Sequence, residues 1–331
     1  MSHAVSRRRF ITIAGSALGA AVLGGSRHAL AVQPVRWRGS ALGAQVSIEI
    51  HHPDRTAAEQ LVESSITEVR RLERQFSLYR PDSAISELNR SGVLVAPDPD
   101  MVALLRTTLA FSQMTAGAFD PTVQPLWQLC ERHFARDGAD PAGPSGAELA
   151  DALAKVGHDG LLVSDNRVAL TRRGAGITLN GIAQGYATDR IVDLLRRHGV
   201  STTLVDIGEI RAIGARPDGS PWRVGLEDAE KVGDVAATID LVDRAVATSA
   251  GAGFRFDRDG RFNHLFDPAT GRSPALYRSV TVMAPTATEA DALSTAFSLM
   301  TPDRIAAFVK TRADLEVIVV HPSGERQTLC S

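Results

Sequence analysis

Residues 177–189 read Ile-Thr-Leu-Asn-Gly-Ile-Ala-Gln-Gly-Tyr-Ala-Thr-Asp and lead from a short strand-like segment, through two glycines, into an amphipathic helix. Apolar residues continue at helical spacing as far as Leu195, and Gly199 is a suitable C-terminal stop. Such a junction presents unpaired backbone N–H groups at the positive end of a helix dipole, which favours an anionic ligand such as phosphate. A glycine turn into an ordinary packed helix has the same pattern, so both interpretations stay open from these residues alone.

The rest of the chain alternates between helix and strand patterns. Apolar residues at helical spacing predict one helix over residues 57–76 and another that runs from Asp100, as its N-cap, to Thr115. These patterns predict a single compact α/β (α+β) domain over residues 32–331, with mixed sheets and packed helices. The predicted strands cover residues 44–50, 161–163, 168–171, 202–207, 222–227, 236–241, 279–284 and 315–321.

The first 31 residues have the pattern of an export signal. Ser6-Arg-Arg-Arg-Phe-Ile11 is a twin-arginine motif, an apolar run follows from residue 14 to residue 24, and Ala29-Leu-Ala31 is a small-x-small cleavage site. The apolar run is short and rich in glycine and alanine for a membrane span, although an uncleaved amino-terminal anchor stays an alternative. We therefore predict a signal peptide over residues 1–31, cleavage near Ala31 and a periplasmic mature protein.

Composition argues against some classes of function. The formal net charge is −2 over 331 residues and no basic block occurs, which argues against nucleic acid as a partner. Cys130 and Cys330 are far apart, and sequence alone does not establish whether they pair. No group of cysteines and histidines has the spacing of a zinc site, so a soft-metal centre is not expected.

Asp291 and Thr295 are candidates for metal chemistry. They are four residues apart in a helix-like segment, so their carboxylate and hydroxyl lie on one face. Because Mg²⁺ prefers few carboxylates, other oxygen ligands and substrate phosphates, the pair could form half of a magnesium site. Thr288 and Asp291 also fit the capping box that begins many helices, and that structural explanation stays open.

Two Asp-Pro segments carry further polar candidates. Gly117-Ala-Phe-Asp-Pro-Thr-Val123 places Asp120 in a turn directly after a helix, and a turn alone would explain it. His264 lies at the end of a strand-like run, just before Asp267-Pro268. A histidine in that position serves either as a base or as a hydrogen-bonded structural residue.

Taken in order, these segments resemble the FAD:protein FMN transferases, the ApbE family, along nearly the whole predicted mature chain. The resemblance rests on the order and spacing of the segments, since each is a weak signal alone. They are Phe76-Ser-Leu-Tyr79 with Ser83 and Asn89, Ala118-Phe-Asp-Pro-Thr122, Gly181-Ile-Ala-Gln-Gly-Tyr186, Val205-Asp-Ile-Gly-Glu-Ile210, Pro221-Trp-Arg-Val-Gly225, Ala247-Thr-Ser249, His264 through Gly271, and Ala290-Asp-Ala-Leu-Ser-Thr295.

The resemblance implies an enzyme that takes FMN from FAD, attaches it through a phosphoester to a threonine or sometimes a serine of a partner protein, and releases AMP. It also implies Mg²⁺ held by Asp291, Thr295 and the backbone carbonyl of Gly181. The family's usual partners are flavin-carrying subunits of membrane electron-transfer complexes, here expected to face the periplasm. The implied flavin-binding residues are Leu42, Ser77, Tyr79, Ala118, Phe119, Asp120, Thr178, Gln184 and Leu265.

The resemblance leaves some chemistry open. The proton of the target hydroxyl could go to His264, to a metal-bound Asp291, or to no dedicated base. The chain departs from the family pattern at Thr178, where an acid is common, at Gln184, where Lys or Glu is common, and at residues 206–208, where a double glycine is common. Two alternatives follow: an FAD-binding maturation factor without transfer activity, and an FAD pyrophosphatase that releases FMN. The Asp291/Thr295 pair favours the transferase.

Overall fold

The computed structural model describes residues 11–13, 33–228 and 234–331. Most of the predicted signal peptide, including its arginines and Ala29-Leu-Ala31, lies outside these residues, so the export signal and its cleavage stay predictions. Within the described part of the chain, no helix combines the length and the apolar character needed to cross a bilayer. Cys130 is buried, Cys330 is exposed, and neither forms a disulfide.

Helices and strands alternate along these ranges. The helices are Arg55–Phe76 (α1), Ala84–Ser91 (α2), Pro99–Met114 (α3), Gln124–Phe134 (α4), Gly146–Leu153 (α5), Ala183–Arg197 (α6), Ala287–Phe297 (α7) and Pro302–Val309 (α8). The strands are Ile11–Ile13 (β1), Val35–Ala41 (β2), Ala44–Ile50 (β3), Val93–Val95 (β4), Leu161–Val163 (β5), Arg167–Leu170 (β6), Thr203–Asp206 (β7), Ile210–Ile213 (β8), Trp222–Glu227 (β9), Val235–Leu241 (β10), Ala245–Ser249 (β11), Ser279–Ala284 (β12), Glu316–Val320 (β13) and Arg326–Cys330 (β14).

The strands form antiparallel sheets. The largest has the order β14-β13-β12-β11-β8-β7-β3-β2 among the described residues. β9 pairs with β1 and β10, and β6 pairs with β4 and β5. Helices and strands thus build an α+β fold, which confirms the predicted class.

Each face of the large sheet has its own core. Side chains alternate across a strand, so Ala245 and Ala247 of β11 join the main core with α1, α6 and α7, whereas Val246 faces a smaller core under β9 and β10. On α6, Ile191 and Leu195 are fully buried. Burial of each such side chain contributes about 1.5–3 kcal/mol, which holds α6 firmly against the sheet.

The structure corrects the predicted start of one helix. Asp98, not Asp100, is the N-cap of α3, and its carboxylate accepts from the N–H of Asp100 at 2.8 Å. Pro99 explains the difference, because its fixed φ suits the first helical position. The sequence patterns also missed β1, β2, β4, β8, β11 and β14, several of which are too short for a distinct periodicity.

Candidate functional site

One cleft opens where the start of α6 and the middle of α7 meet the sheet and the loop after α3. Its empty volume is about 1230 Å³, which includes the part that is open to solvent at the mouth. The predicted site residues that line it are Ala118, Phe119, Asp120, Thr178, Gly181, Gln184, His264, Leu265, Asp291 and Thr295. Leu42, Ser77 and Tyr79 lie in a smaller pocket that shares Gln184 as a wall residue.

The amino terminus of α6 is less open to an anion than its sequence suggested. The N–H groups of Ile182 and Ala183 donate to the carbonyl of Leu179, at 3.0 and 2.8 Å. The N–H of Gly185 donates to Oδ2 of Asp291 at 3.0 Å. The anion at this helix end is therefore a carboxylate of the protein itself, and these three N–H groups are not available to a phosphate.

Two glycines allow α6 and α7 to approach closely. A Cβ at Gly185 would lie 2.2 Å from the carbonyl oxygen of Ala287, and a Cβ at Gly181 would lie 2.8 Å from Oγ1 of Thr295. Because neither contact is sterically possible, both positions require glycine at the observed distance from α7. Gly181, Gly185, Asp291 and Thr295 thus form one side of the cleft, which we call the α6–α7 wall.

The capping-box explanation for Asp291 is wrong. The N-cap of α7 is Thr286, whose hydroxyl accepts from the N–H of Glu289 at 3.2 Å. Asp291 lies one turn further along, is only 4% exposed, and accepts from α6 instead of from its own helix start. The structure therefore places this carboxylate in the cleft wall.

A chain of hydroxyl groups orients Thr295. Ser294 Oγ donates to the carbonyl of Asp291 at 3.0 Å, which uses its single proton. Ser249 Oγ lies 2.8 Å from Ser294 Oγ and must donate to it, so at 3.3 Å from Thr295 Oγ1 it can only accept. The Thr295 proton then points toward Ser249, and the Thr295 lone pairs are directed elsewhere, as a cation ligand requires.

Asp120 lines the cleft but bonds to its own loops. Oδ1 accepts from the N–H and hydroxyl of Thr122 at 2.8 and 2.5 Å. Oδ2 accepts from the N–H of His158 at 2.9 Å and lies 3.2 Å from its Nδ1. These contacts join the 118–122 turn to the 157–158 turn, in line with the structural explanation, and a direct flavin contact by Asp120 stays a prediction.

The segment before Gly181 is extended but belongs to no strand. Asn89 brackets it: the side-chain amide donates to the carbonyl of Ile177 at 2.8 Å and accepts from its N–H at 2.7 Å. The N–H of Thr178 donates to the carbonyl of Pro121 at 2.7 Å. Side-chain and loop contacts thus replace the strand pairing that the sequence suggested, and they place Thr178 in the cleft.

Gln184 connects the α6–α7 wall to the turn between β2 and β3. Its Nε2 donates to the carbonyl of Leu42 at 3.1 Å. The turn has positive φ at Leu42 (50°) and Gly43 (78°). A Cβ at Gly43 would lie 2.9 Å from the ring of Tyr79, which is 45% exposed. Leu42 is buried, Gly43 is half-buried and Tyr79 is exposed, and we call these three residues the rim.

His264 lies on the side of the cleft that carries the aromatic residues. Its Nδ1 is 3.4 Å from the carbonyl oxygen of Phe254, and its backbone N–H donates to the same oxygen at 3.2 Å. A proton on Nδ1 leaves Nε2 as the acceptor nitrogen, which is the form a base needs. Trp127, another residue of the cleft, stacks on Phe254 at 4.8 Å between ring centroids.

Several polar and aromatic residues of the cleft were not predicted as site residues from the sequence. Asp206 and Ser249 each end a buried strand, and Asn180 directly precedes Gly181. A polar residue at the end of an apolar strand is the signal that could have identified the first two, because such side chains emerge at a sheet edge. The polar and aromatic cleft residues missed are Gln124, Trp127, Asn180, Asp206, Glu209, Thr248, Ser249 and Phe266.

Comparisons with known proteins agree with this arrangement. The family model described as ApbE family matches residues 42–319. The chain is 32% identical over 292 residues to the FAD:protein FMN transferase of Treponema pallidum. The match covers 81% of this chain and 79% of that protein. It is 32% identical over 240 residues to the Vibrio cholerae enzyme of the same name, covering 70% of each.

Solved structures give the same result. The ApbE protein of Thermotoga maritima is similar with a TM-score of 0.80 at 31% identity, over 90% of this chain and 97% of that one. The flavin transferase ApbE of Vibrio cholerae is similar with a TM-score of 0.77 at 26% identity, over the same shares. The chain therefore belongs to the ApbE family, and it is an enzyme of the FAD:protein FMN transferase class.

Proposed function

We propose that this enzyme moves FMN from FAD to a threonine or serine hydroxyl of a target flavoprotein, that it requires Mg²⁺, and that it releases AMP. The observation that carries the proposal is the α6–α7 wall, where a carboxylate, a hydroxyl and a glycine backbone meet in one cleft. Family membership supports flavin transfer, and the wall supports the finer chemistry.

The reaction exchanges one phosphorus–oxygen bond for another. The target hydroxyl oxygen bonds to the phosphorus of the FMN half of FAD, the bond from that phosphorus to the bridging oxygen breaks, and AMP leaves with that oxygen. One proton leaves the target hydroxyl. Because the pyrophosphate is negatively charged, the site must neutralise charge and align the two reacting oxygens.

The α6–α7 wall suits a magnesium ion. Asp291, Thr295 and the carbonyl of Gly181 would supply hard oxygen ligands of the kind Mg²⁺ prefers. Gly181 has no Cβ, so its backbone can lie against Thr295, and the hydroxyl chain leaves the lone pairs of Thr295 directed away from Ser249. When bound, Mg²⁺ would neutralise pyrophosphate charge.

A single carboxylate would then serve as the charged ligand. The described part of the chain contains no group of three or more histidine, cysteine, aspartate and glutamate residues able to hold a metal. A site with one carboxylate and neutral oxygens leaves coordination positions for phosphate oxygens, which is how Mg²⁺ commonly joins a nucleotide to a protein.

The remaining cleft residues suit a flavin. Phe119, Trp127 and Leu265 supply apolar surface, and Thr178 and Gln184 supply hydrogen-bonding groups. His264 is the proposed base because Nδ1 can donate to Phe254 and leave Nε2 to accept a proton. We propose that the targets are periplasm-facing flavoprotein subunits of membrane electron-transfer complexes. The family resemblance supports this class of target, and the predicted export signal supports only its periplasmic side.

The test is a reconstituted transfer reaction. Full-length protein, FAD and a candidate acceptor subunit are incubated with Mg²⁺ or with EDTA, and the acceptor is then examined by in-gel flavin fluorescence and mass spectrometry. We expect Mg²⁺-dependent addition of one FMN to a threonine or serine, with one AMP released per FMN attached. Release of soluble FMN without labelling would instead indicate a pyrophosphatase, and FAD binding without cleavage would indicate a maturation factor.

A further inference from the structure

Asp189 forms a buried link between α6 and α7. Its Oδ2 accepts from the N–H of Thr288 at 2.8 Å and from the Thr288 hydroxyl at 2.5 Å. Its Oδ1 accepts from the N–H of Ala287 at 2.9 Å and from Nη1 of Arg211 at 2.5 Å. Three of these four donors belong to the first two residues of α7, so a carboxylate on one helix caps the start of the other.

The link matches a second contact in the opposite direction. Gly185 and Asp189 are one turn apart on α6, and Thr288 and Asp291 are one turn apart on α7. α6 donates an N–H to the carboxylate of Asp291, and α7 donates N–H groups to the carboxylate of Asp189. Two reciprocal contacts one turn apart fix both the axial position and the rotation of α7, which a single contact cannot do.

We propose that Asp189 is a positioning residue that holds Asp291 and Thr295 in the orientation needed to bind the cation. Asp189 is not a lining residue of the cleft as described, so it acts through α7. Its carboxylate satisfies N–H groups that have no acceptor within α7, and its charge lies at the positive end of that helix. This inference rests on the proposed magnesium site.

The choice of substitution follows from the surroundings of Asp189. Arg211 is 8% exposed, and its Nε has no hydrogen-bond partner among the described residues. Removal of the whole Asp189 side chain would strand a buried guanidinium. Asp189→Asn keeps an oxygen for Arg211 and Ala287 while it removes the charge and one acceptor at Thr288. Thr288→Val removes only the hydroxyl donor and serves as a second variant.

Tyr186→Phe is the matched control. Tyr186 is also on α6, but its hydroxyl donates to Asp100 at 2.5 Å, on the side of the helix that faces α1 and α3. Burial and the bond to Asp100 raise the pKa of this phenol well above its usual value, so it stays a protonated donor at neutral pH. The control therefore removes one half-buried hydrogen bond from the same helix without a change at α7.

The experiment measures Mg²⁺ binding and FAD binding separately on the full-length chain. Mg²⁺ affinity is measured by calorimetry, and FAD affinity is measured in EDTA by flavin fluorescence. We expect Asp189→Asn to raise the Kd for Mg²⁺ by about tenfold or more, as loss of a group that orients a metal ligand does. Thr288→Val should shift the Kd in the same direction by less, and excess Mg²⁺ should restore transfer in both. FAD affinity in EDTA and the Mg²⁺ affinity of Tyr186→Phe should stay within about twofold of wild type.

Two results would overturn the inference, and they differ in meaning. If wild type binds Mg²⁺ and both variants bind it equally well, Asp189 has no positioning role and the proposed function stands. If wild type binds no Mg²⁺, the metal assignment and the inference fail together. Should Asp189→Asn not fold, Thr288→Val decides the question by the same two measurements.

Discussion

The α6–α7 wall and the rim are held in different ways. Asp291 of the wall is 4% exposed and accepts a backbone hydrogen bond from the neighbouring helix. Tyr79 of the rim is 45% exposed, and the turn beside it has Leu42 at a φ of 50°, where a non-glycine residue is strained. The wall of the cleft is thus braced by two packed helices, whereas the rim, beside the neighbouring smaller pocket, consists of a turn and an exposed aromatic ring.

This difference separates two tasks. Stabilisation of developing charge needs groups whose positions are fixed before the reaction, which packed helices provide. Admission of a large ligand needs an entrance that can adjust, and an exposed ring such as that of Tyr79 can move more readily than a buried side chain. Substitutions in the wall should therefore reduce turnover, whereas substitutions near the rim should change only the affinity for FAD.

Loss of the Asp291 carboxylate should have the largest effect. Asp291→Ala removes the only charged ligand of the proposed metal site, so we expect transfer to fall by at least about 100-fold, which corresponds to several kcal/mol of lost charge stabilisation. Transfer is measured by mass spectrometry of the acceptor at saturating FAD.

The control for Asp291→Ala is on the same helix. Glu289→Ala removes a half-buried carboxylate outside the cleft that pairs with Arg312 at 2.7 Å, and Arg312 keeps Asp314 as a partner at 2.8 Å. We expect this variant to transfer FMN within about twofold of wild type. Near-normal transfer by Asp291→Ala would show that the α6–α7 wall takes no part in FMN transfer.

Separation of the two helices should have the next largest effect. In Gly185→Ala the new Cβ would lie 2.2 Å from the carbonyl oxygen of Ala287 if the backbone did not move. The two atoms would overlap at that distance. We expect about 1–3 kcal/mol less stability in urea unfolding, as overpacked sites show, together with weaker Mg²⁺ binding, because α7 must move away.

Gly146→Ala is the matched control for Gly185→Ala. Gly146 begins α5, and a Cβ there would meet nothing within 4 Å. We expect that variant to be as stable as wild type or slightly more stable, because alanine favours a helix. If Gly185→Ala also keeps full stability and Mg²⁺ affinity, the close helix contact does not support the wall.

The wall also shows what the sequence could and could not predict. Asp291 and Thr295 are predictable because four-residue spacing places two side chains on one helix face. Gly181 is predicted as a ligand only by the resemblance of the chain to the ApbE family. The local pattern did not show that the N–H of Gly185 is taken by Asp291, or that Asp189 caps α7. Both contacts join residues about a hundred positions apart, and short-range spacing carries no information about such pairs.

The strands also divide into those that local sequence patterns predict and those that they do not. β3, β9 and β12 were predicted at their observed bounds because each is a clear apolar or alternating run between turn residues. β8 and β11 are short, and pairing fixes them: β8 with β7 just before it, and β11 with β12 and with the distant β8. Thr178 illustrates the limit: its segment looks like a strand, but Asn89 and Pro121 supply its hydrogen bonds.

Removal of the Ser249 hydroxyl should have a smaller effect on the wall. Ser249→Ala frees the Thr295 hydroxyl to rotate, so its lone pairs are no longer directed by the chain through Ser294. One weak hydrogen bond is worth about 0.5–1.5 kcal/mol, so we expect a three- to tenfold rise in the Mg²⁺ concentration at half-maximal transfer.

Ser65→Ala is the control for Ser249→Ala. Ser65 is a fully buried serine on α1 whose hydroxyl bonds to the carbonyl of Leu61 at 2.7 Å, away from the cleft. Its loss should cost stability without a change in the Mg²⁺ requirement. An equal shift in both variants would show that the effect comes from general destabilisation instead of from Thr295.

The smallest effect should come from the link between the wall and the rim. Gln184→Ala leaves the carbonyl of Leu42 without its side-chain donor, which loosens the turn but does not touch Asp291 or Thr295. We expect the KM for FAD to rise by about two- to threefold while kcat stays within about twofold, because the lost hydrogen bond orders the turn and is remote from the reacting atoms. Gln184→Lys retains a donor for Leu42 and should keep the wild-type KM, whereas Gln184→Glu presents only acceptors to that carbonyl and should resemble the alanine variant. A fall in kcat common to all three substitutions would mean that Gln184 belongs to the wall, and the distinction between a rigid wall and an adjustable rim would fail.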